Sequence, residues 1–272
     1  MRASFAVAGF VLAAAAPLVA AKGSLGFALG TKLADGSCKY QADYEADFDA
    51  IYAASGSKLV RGYSADDCNC AKNILPAAKA KGFQVVLGVW PDVEASFIAD
   101  RKALNATVSL YPDQVYGITV GSETMYRGNF TGQQLLDKIN IVKNEHPSVT
   151  RIGTADSWNR FQDGTGDDLI KGGVTFILAN AFAYWQGSAA GAPAIKTYFD
   201  DIQQALAKVQ SIAGSLDKIE FWNGESGWPT DGGSDFGAAK AGTSFAADYY
   251  KKAVCGLLDW GVNAFYFEAF DE

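Results

Sequence analysis

Histidine, methionine, cysteine and proline are scarce: one His, 2 Met, 4 Cys and 7 Pro in 272 residues. A single imidazole excludes zinc and iron sites built on two or more histidines, the HExxH pattern included. Any Ser-His or Cys-His nucleophile would have to use His146, in Asn144-Glu145-His146-Pro147, where a helical pattern ends. That residue reads instead as a surface imidazole near a helix C-terminus, where the dipole favours a cation. No Gly-x-x-x-x-Gly-Lys phosphate loop occurs. Gly224-Glu225-Ser226-Gly227 fails as a Gly-x-Ser-x-Gly elbow because Trp228 occupies the last position. Basic charge is also in deficit, with Lys+Arg 23 against Asp+Glu 30 and a net charge of -7. A net-negative chain is repelled at long range by nucleic acid and anionic membranes, so neither is expected as a partner and a neutral substrate is favoured. What the sequence has in plenty for acid-base chemistry is carboxylate.

Apolar residues make up 49% of the chain and aromatics 13%, enough for a large core. The only long apolar run is at the start. Arg2, an apolar stretch over residues 5–16, Pro17 and Val19-Ala20-Ala21 follow the order of a secretory signal, with cleavage expected after Ala21. The run is shorter than the roughly 20 residues that span a bilayer, so no membrane span is expected. Residues 22–272 form the expected mature domain, exported from the cell. Two Asn-x-Thr acceptors, at Asn105 and Asn129, fit that route. So does the even cysteine count. Cys68 and Cys70 are too close to bridge each other comfortably, so each is expected to pair with Cys38 or Cys255 in a pairing left open. A thiolate metal site lacks its second close cysteine pair, and no metal or cofactor is expected.

Eight short β-branched or aromatic runs recur, at 25–30, 58–64, 83–90, 115–121, 151–156, 174–181, 218–224 and 263–269. Between them lie helical patterns such as 40–54, 133–144, 196–212 and 246–258, with Thr131 a fitting N-cap for the second. Strands alternating with helices imply parallel pairing through crossovers. Eight units of about 31 residues match the unit of a closed (β/α)8 TIM barrel. The open doubly wound sheet is disfavoured, since no glycine fingerprint follows the first strand. The sequence stops at Phe270-Asp271-Glu272, so this chain is expected to lack the eighth helix, to leave the last strand's outer face bare, and to be a truncated barrel.

Such barrels place their chemistry at the C-terminal ends of the strands. Strand four ends in Val120-Gly121-Ser122-Glu123, strand seven in Trp222-Asn223-Gly224-Glu225, and strand eight carries Glu268, Asp271 and Glu272. Taken singly, each is as readily a loop charge. As a pair, Glu123 and Glu225 face each other across roughly 14 Å of barrel at the Cα atoms, and side chains reaching inward by about 4 Å each leave the carboxyls roughly 5 to 6 Å apart. That separation fits a retaining glycosidase better than an inverting one.

The run Ile219-Glu220-Phe221-Trp222-Asn223-Gly224-Glu225-Ser226-Gly227-Trp228-Pro229-Thr230 closely resembles the signature of glycoside hydrolase family 17, the β-1,3-glucanases. Val120-Gly121-Ser122-Glu123 and Phe267-Glu268-Ala269-Phe270-Asp271-Glu272 look like its fungal cell-wall branch, and the likeness runs from about Leu25 to the end. The resemblance implies a retaining double displacement on β-1,3-glucan, with Glu225 as nucleophile and Glu123 as general acid/base. Its second step is hydrolysis by water or transfer to a glucan hydroxyl. The chemistry asks Glu123 to keep its proton while Glu225 is ionised, which burial of Glu123 near aromatics is expected to supply. Many relatives carry Asn before the acid, where this chain has Ser122. Tyr63, Trp90, Trp158, Tyr184 and Trp228 stand near strand ends, where flat rings stack on sugars, and about half of the strand-end aromatics are expected to be plain core. Tyr63 and Tyr184 match tyrosines near the donor sugar in the family. Ser122, Glu268 and Glu272 complete the expected substrate contacts of a monomer. The reading from a different class is a carbohydrate-binding or structural cell-wall barrel without catalysis.

Overall fold

Each of the eight β-branched runs forms a strand, and the strands close on one another. The computed structural model describes residues 22–231 and 235–271. The expected signal at 1–21 and the candidate Glu272 lie outside these. In chain order the elements are β1 (Leu25–Ala28), α1 (Gln41–Ser55), β2 (Leu59–Arg61), α2 (Cys70–Lys81), β3 (Gln84–Val89), α3 (Glu94–Thr107), β4 (Val115–Ser122) and α4 (Gly132–Glu145). There follow β5 (Ile152–Ser157), α5 (Trp158–Gln162), α6 (Asp167–Lys171), β6 (Phe176–Asn180), α7 (Ala192–Ala213), β7 (Glu220–Ser226), α8 (Thr243–Tyr249), α9 (Cys255–Asp259) and β8 (Asn263–Tyr266). All neighbouring strands run parallel, and β1 pairs with β8 through Gly26 opposite Phe265 to close a (β/α)8 barrel.

The helices form where the apolar period meets a cap. In α1, Tyr44, Phe48 and Ile51 return every three or four residues to one buried face, and Gly56 at φ 73° ends the helix. Thr131 caps α4 as expected, its hydroxyl accepting the Gln134 N–H while the Gln134 side chain accepts the Thr131 N–H. The helix expected at 246–258 is interrupted. A π turn over Tyr250–Val254 separates α8 from α9 and brings Tyr250 edge-on to Tyr266 at 5.1 Å. That contact, with Phe27 at 6.3 Å, covers part of the outer face of β8, which is therefore less bare than expected. No helix follows β8 among the described residues.

Two apolar layers result. One lies between barrel and helices; the other fills the barrel with Leu59, Val86, Ala155, Phe176, Leu178, Trp222 and Phe265. Trp222 and Phe265 stack at 4.8 Å, and burying each ring contributes about 1.5 to 3 kcal/mol. At the N-terminal end of the barrel Glu220 accepts from Tyr116, Arg151 and Trp222, an ionic plug beneath the apolar filling. The interior is thus packed to its floor, and the open volume lies at the opposite end. Register shifts in the β4–β5, β6–β7 and β7–β8 pairings all fall in the C-terminal halves of these strands, where they re-aim the last side chains.

Two expectations are corrected. Only one disulfide forms, Cys38–Cys68, with Cα atoms 5.2 Å apart. Cys70 begins α2 and points into the core, while Cys255 sits on α9 beside Lys22 and Asp259, so the two thiols remain free. Nor is His146 a surface cation. It caps α4 from a buried position, and burial lowers its pKa, so desolvation outweighs the helix dipole.

Candidate active site

Glu225 and Glu123 meet in one cavity of about 890 Å³ at the C-terminal mouth of the barrel. Glu225 lies on β7, and its Oε1 accepts from Arg61 Nη1 at 3.1 Å and from Ser122 Oγ at 3.4 Å. Arg61 ends β2 and is fully buried. Its guanidinium also reaches the Gly224 carbonyl at 2.8 Å and Ser122 Oγ at 3.1 Å, and lies over the Tyr63 ring at 4.7 Å. A buried guanidinium is tolerated because each of these partners replaces lost water. Glu123 follows β4 at φ 58°, next to Gly121 at φ 87°, and its Oε1 accepts from Asn180 Nδ2 at 3.2 Å. Asn180, at the end of β6, fits because Gly224 has no Cβ; one there would stand 2.5 Å from Asn180 Oδ1.

Burial divides the pair in the opposite sense to that expected. It is Glu225 that is nearly enclosed, at 8% exposure, and burial raises its pKa against the pull of Arg61, with the charge of Glu123 adding to the rise. Tyr63 lies beneath; burial, then the charges of Glu225 and Glu268, hold its hydroxyl well above its usual pKa. The arrangement can supply one carboxylate fixed by a cation and a second carboxyl at the rim of the same cavity.

Of the other residues picked from sequence, Trp158, Tyr184, Trp228 and Glu268 line the cavity. Tyr184 and Trp228 are buried and pack edge-on at 5.1 Å, so each presents only part of its ring. Ser122 and Tyr63 do not line the cavity; Ser122 contacts Arg61 and Glu225, and the Tyr63 ring lies under the Arg61 guanidinium. Trp90 does not line the cavity, and its ring carries the Arg127 guanidinium at 4.9 Å. Sequence reasoning missed Arg61, Asn180 and Asp156 as site residues. Each is a polar residue in the last two positions of a strand, the signal that marked the glutamates. Phe182, Phe236 and Phe267 were missed among the wall aromatics.

Residues 26–272 match the model of the BtgE/BtgC glycoside hydrolase domain. The chain is 56% identical over 96% of its length to a glucan 1,3-beta-glucosidase of Arthroderma benhamiae, covering 83% of that protein. It is 40% identical over 99% of its length to a glucan 1,3-beta-glucosidase of Saccharomyces cerevisiae, covering 88% of it. Its fold superposes with a TM-score of 0.75 and 26% identity on a glycoside hydrolase family 17 beta-1,3-glucanosyltransferase from Rhizomucor miehei, over 91% of this chain and 87% of that one. An active-site mutant of the Rhizomucor enzyme, in complex with laminaritriose, superposes at 0.74. With paired glutamates at the ends of β4 and β7 in a (β/α)8 barrel, this chain carries the BtgE/BtgC glycoside hydrolase domain and belongs to glycoside hydrolase family 17.

Proposed function

We propose that the protein cleaves β-1,3-glucan with retention at the anomeric carbon and passes the glycosyl group to water or to a second glucan chain. The observation that carries this reading is the pair itself: Glu225 held by Arg61 and Ser122, and Glu123 held by Asn180, on the walls of one aromatic-lined cavity. Ionised Glu225 attacks the anomeric carbon while the protonated Glu123 carboxyl gives its proton to the departing glycosidic oxygen, forming a covalent glycosyl-enzyme. Glu123, now a carboxylate, takes the proton of the incoming hydroxyl as that oxygen displaces Glu225. Arg61 favours the ionised nucleophile that burial alone would disfavour. Trp158 and the exposed edges of Tyr184 and Trp228 offer apolar faces to the glucosyl rings. The names of the relatives support glucan as substrate, and the Rhizomucor glucanosyltransferase supports transfer as an outcome. An exported enzyme acting at the fungal cell wall fits both.

Glu225→Gln tests the reading. It should abolish release of reducing ends from laminarin, a loss of at least about 10⁴-fold, while laminari-oligosaccharide binding persists. Turnover surviving in the variant would overturn the assignment; glucan binding without release in the wild-type protein would instead favour a carbohydrate-binding barrel. Chain lengths of products from laminaripentaose separate hydrolysis from transfer, since only transfer yields oligomers longer than the substrate.

A further inference from the structure

Asp156, on β5, is completely buried, and its side chain makes no contact with the cavity. It accepts three backbone N–H groups: Oδ2 that of Met125 at 2.8 Å, and Oδ1 those of Tyr126 at 3.1 Å and Ser157 at 2.8 Å. Met125 and Tyr126 belong to the turn that follows β4. That turn carries Glu123 into the cavity at one end and the half-exposed Tyr126 at the other. Glu123 itself is left-handed at φ 58°, a conformation disfavoured by its Cβ and held only when the surroundings over-determine it. Within itself the turn is closed by Arg127 N–H to the Glu123 carbonyl, Gly128 N–H to the Met125 carbonyl and Asn129 N–H to the Thr124 carbonyl, and Arg127 pairs with Asp92 at 2.6 Å; what ties it to β5 is Glu123 N–H to the Ala155 carbonyl and the two bonds to Asp156.

We infer that Asp156 is a positioning residue for proton transfer, fixing the turn from Glu123 to Arg127 so that the Glu123 carboxyl faces the scissile oxygen. The inference rests on the reading of Glu123 as the acid/base. Burial pushes the Asp156 carboxyl up to about 7 against the pull of the three backbone N–H groups, and the charge of Glu123 adds to the rise. Without Asp156, the N–H groups of Met125 and Tyr126 lose their acceptor, and a turn with an unfavourable φ is free to relax. The carboxyl then leaves its productive position, and a misplacement of about 1 Å is enough to lower the rate about 100-fold.

The leaving group reports this directly. A laminari-oligosaccharide needs its glycosidic oxygen protonated as the bond breaks, whereas 2,4-dinitrophenyl β-laminaribioside departs as a stable anion without help. Asp156→Asn keeps one acceptor oxygen but turns its NH2 against a backbone N–H on the other side, and should lower kcat/KM on laminaripentaose about 100-fold, within the range general acid catalysis supplies, and on the aryl glycoside less than about threefold. Glycosyl-enzyme should accumulate on the aryl substrate, because the same carboxyl serves as base in the second step, and azide should restore its turnover. Equal losses on both substrates, as a global loss of structure produces, would overturn the inference, and so would no loss on either. Glu123→Gln is the control for the underlying reading: if it fails to discriminate the two substrates, the acid assignment falls, whereas discrimination by Glu123→Gln alone removes only the role of Asp156. Should Asp156→Asn fail to fold, Asp156→Glu retains the carboxylate one methylene farther out and should show the same discrimination with a smaller ratio.

Discussion

Glu225 is enclosed by protein, and a carboxylate in that position stays ionised only if a charge opposes its burial. Arg61 Nη1 at 3.1 Å is that charge. Replacing it by Met leaves the burial and removes the opposition, so the acid limb of the kcat/KM profile should move to higher pH by about one to three pH units. An unmoved acid limb in Arg61→Met would show that another group sets the ionisation. The glutamates were legible in the sequence because a strand-end carboxylate beside glycine and tryptophan is chemically conspicuous. Arg61, Asn180 and Asp156 were not, because their meaning lies in partners 164, 57 and 31 residues away. An arginine in a β-rich run does not declare that it will be buried, and nothing local distinguishes it from a surface cation. His146 failed in the reverse direction: its place at the end of α4 was read correctly, but its burial depends on what packs over it.

Among the elements, β3 and the segment that follows β2 approach closely beside Arg61. A Cβ on Gly88 would stand 2.2 Å from the carbonyl carbon of Tyr63, which no rearrangement of side chains relieves. Gly88→Ala should therefore push the Tyr63 backbone away, destabilising the barrel by about 1 to 3 kcal/mol in denaturant titrations and lowering activity with it. Retained stability and activity would mean that the strand end yields without strain. Helix positions were legible to within a few residues where a cap coincided with the apolar period, as at Thr131. The π turn at Tyr250–Val254 was not, since its residues keep a helical composition and the insertion answers a packing demand from Tyr266. Strand two was read too long: β2 ends at Arg61, the Gly62 N–H still donates to the Val86 carbonyl, and Ser64 then turns its hydroxyl to Asp100.

For the whole molecule, buried carboxyls tie stability to pH. Burial raises both Asp156 and Asp201 from the ordinary 3.8 to about 7. Between about pH 4 and 7 the folded chain therefore holds protons that the unfolded chain has released, and their contribution to stability, full below pH 4, is lost as pH rises through 7. Asp201→Asn keeps an acceptor for Gln186 and should flatten that slope in urea midpoints taken from pH 4 to 8. A slope unchanged by the substitution would remove Asp201 as its source. The Cys38–Cys68 bridge spans a separation of 30 residues, and Cys38→Ser should cost about 2 to 4 kcal/mol, whereas Cys255→Ser, at an unbridged thiol, should change stability little.

The sequence by itself determined the alternation of strands and helices, hence the parallel barrel, and it marked Glu123 and Glu225, because period and strand-end chemistry are local properties. It also carried the family resemblance that the relatives bear out. Only the tertiary structure decided which cysteines bridge, that Glu225 rather than Glu123 is the enclosed carboxyl, that Arg61 and Asn180 bond to the pair, and that Asp156 bonds to the turn that follows Glu123. Those are outcomes of closure. Bending eight strands into a ring brings residues from β2, β4, β5, β6 and β7 to one mouth, and a side chain's burial and partners are set by its neighbours around that ring, not by those along the chain.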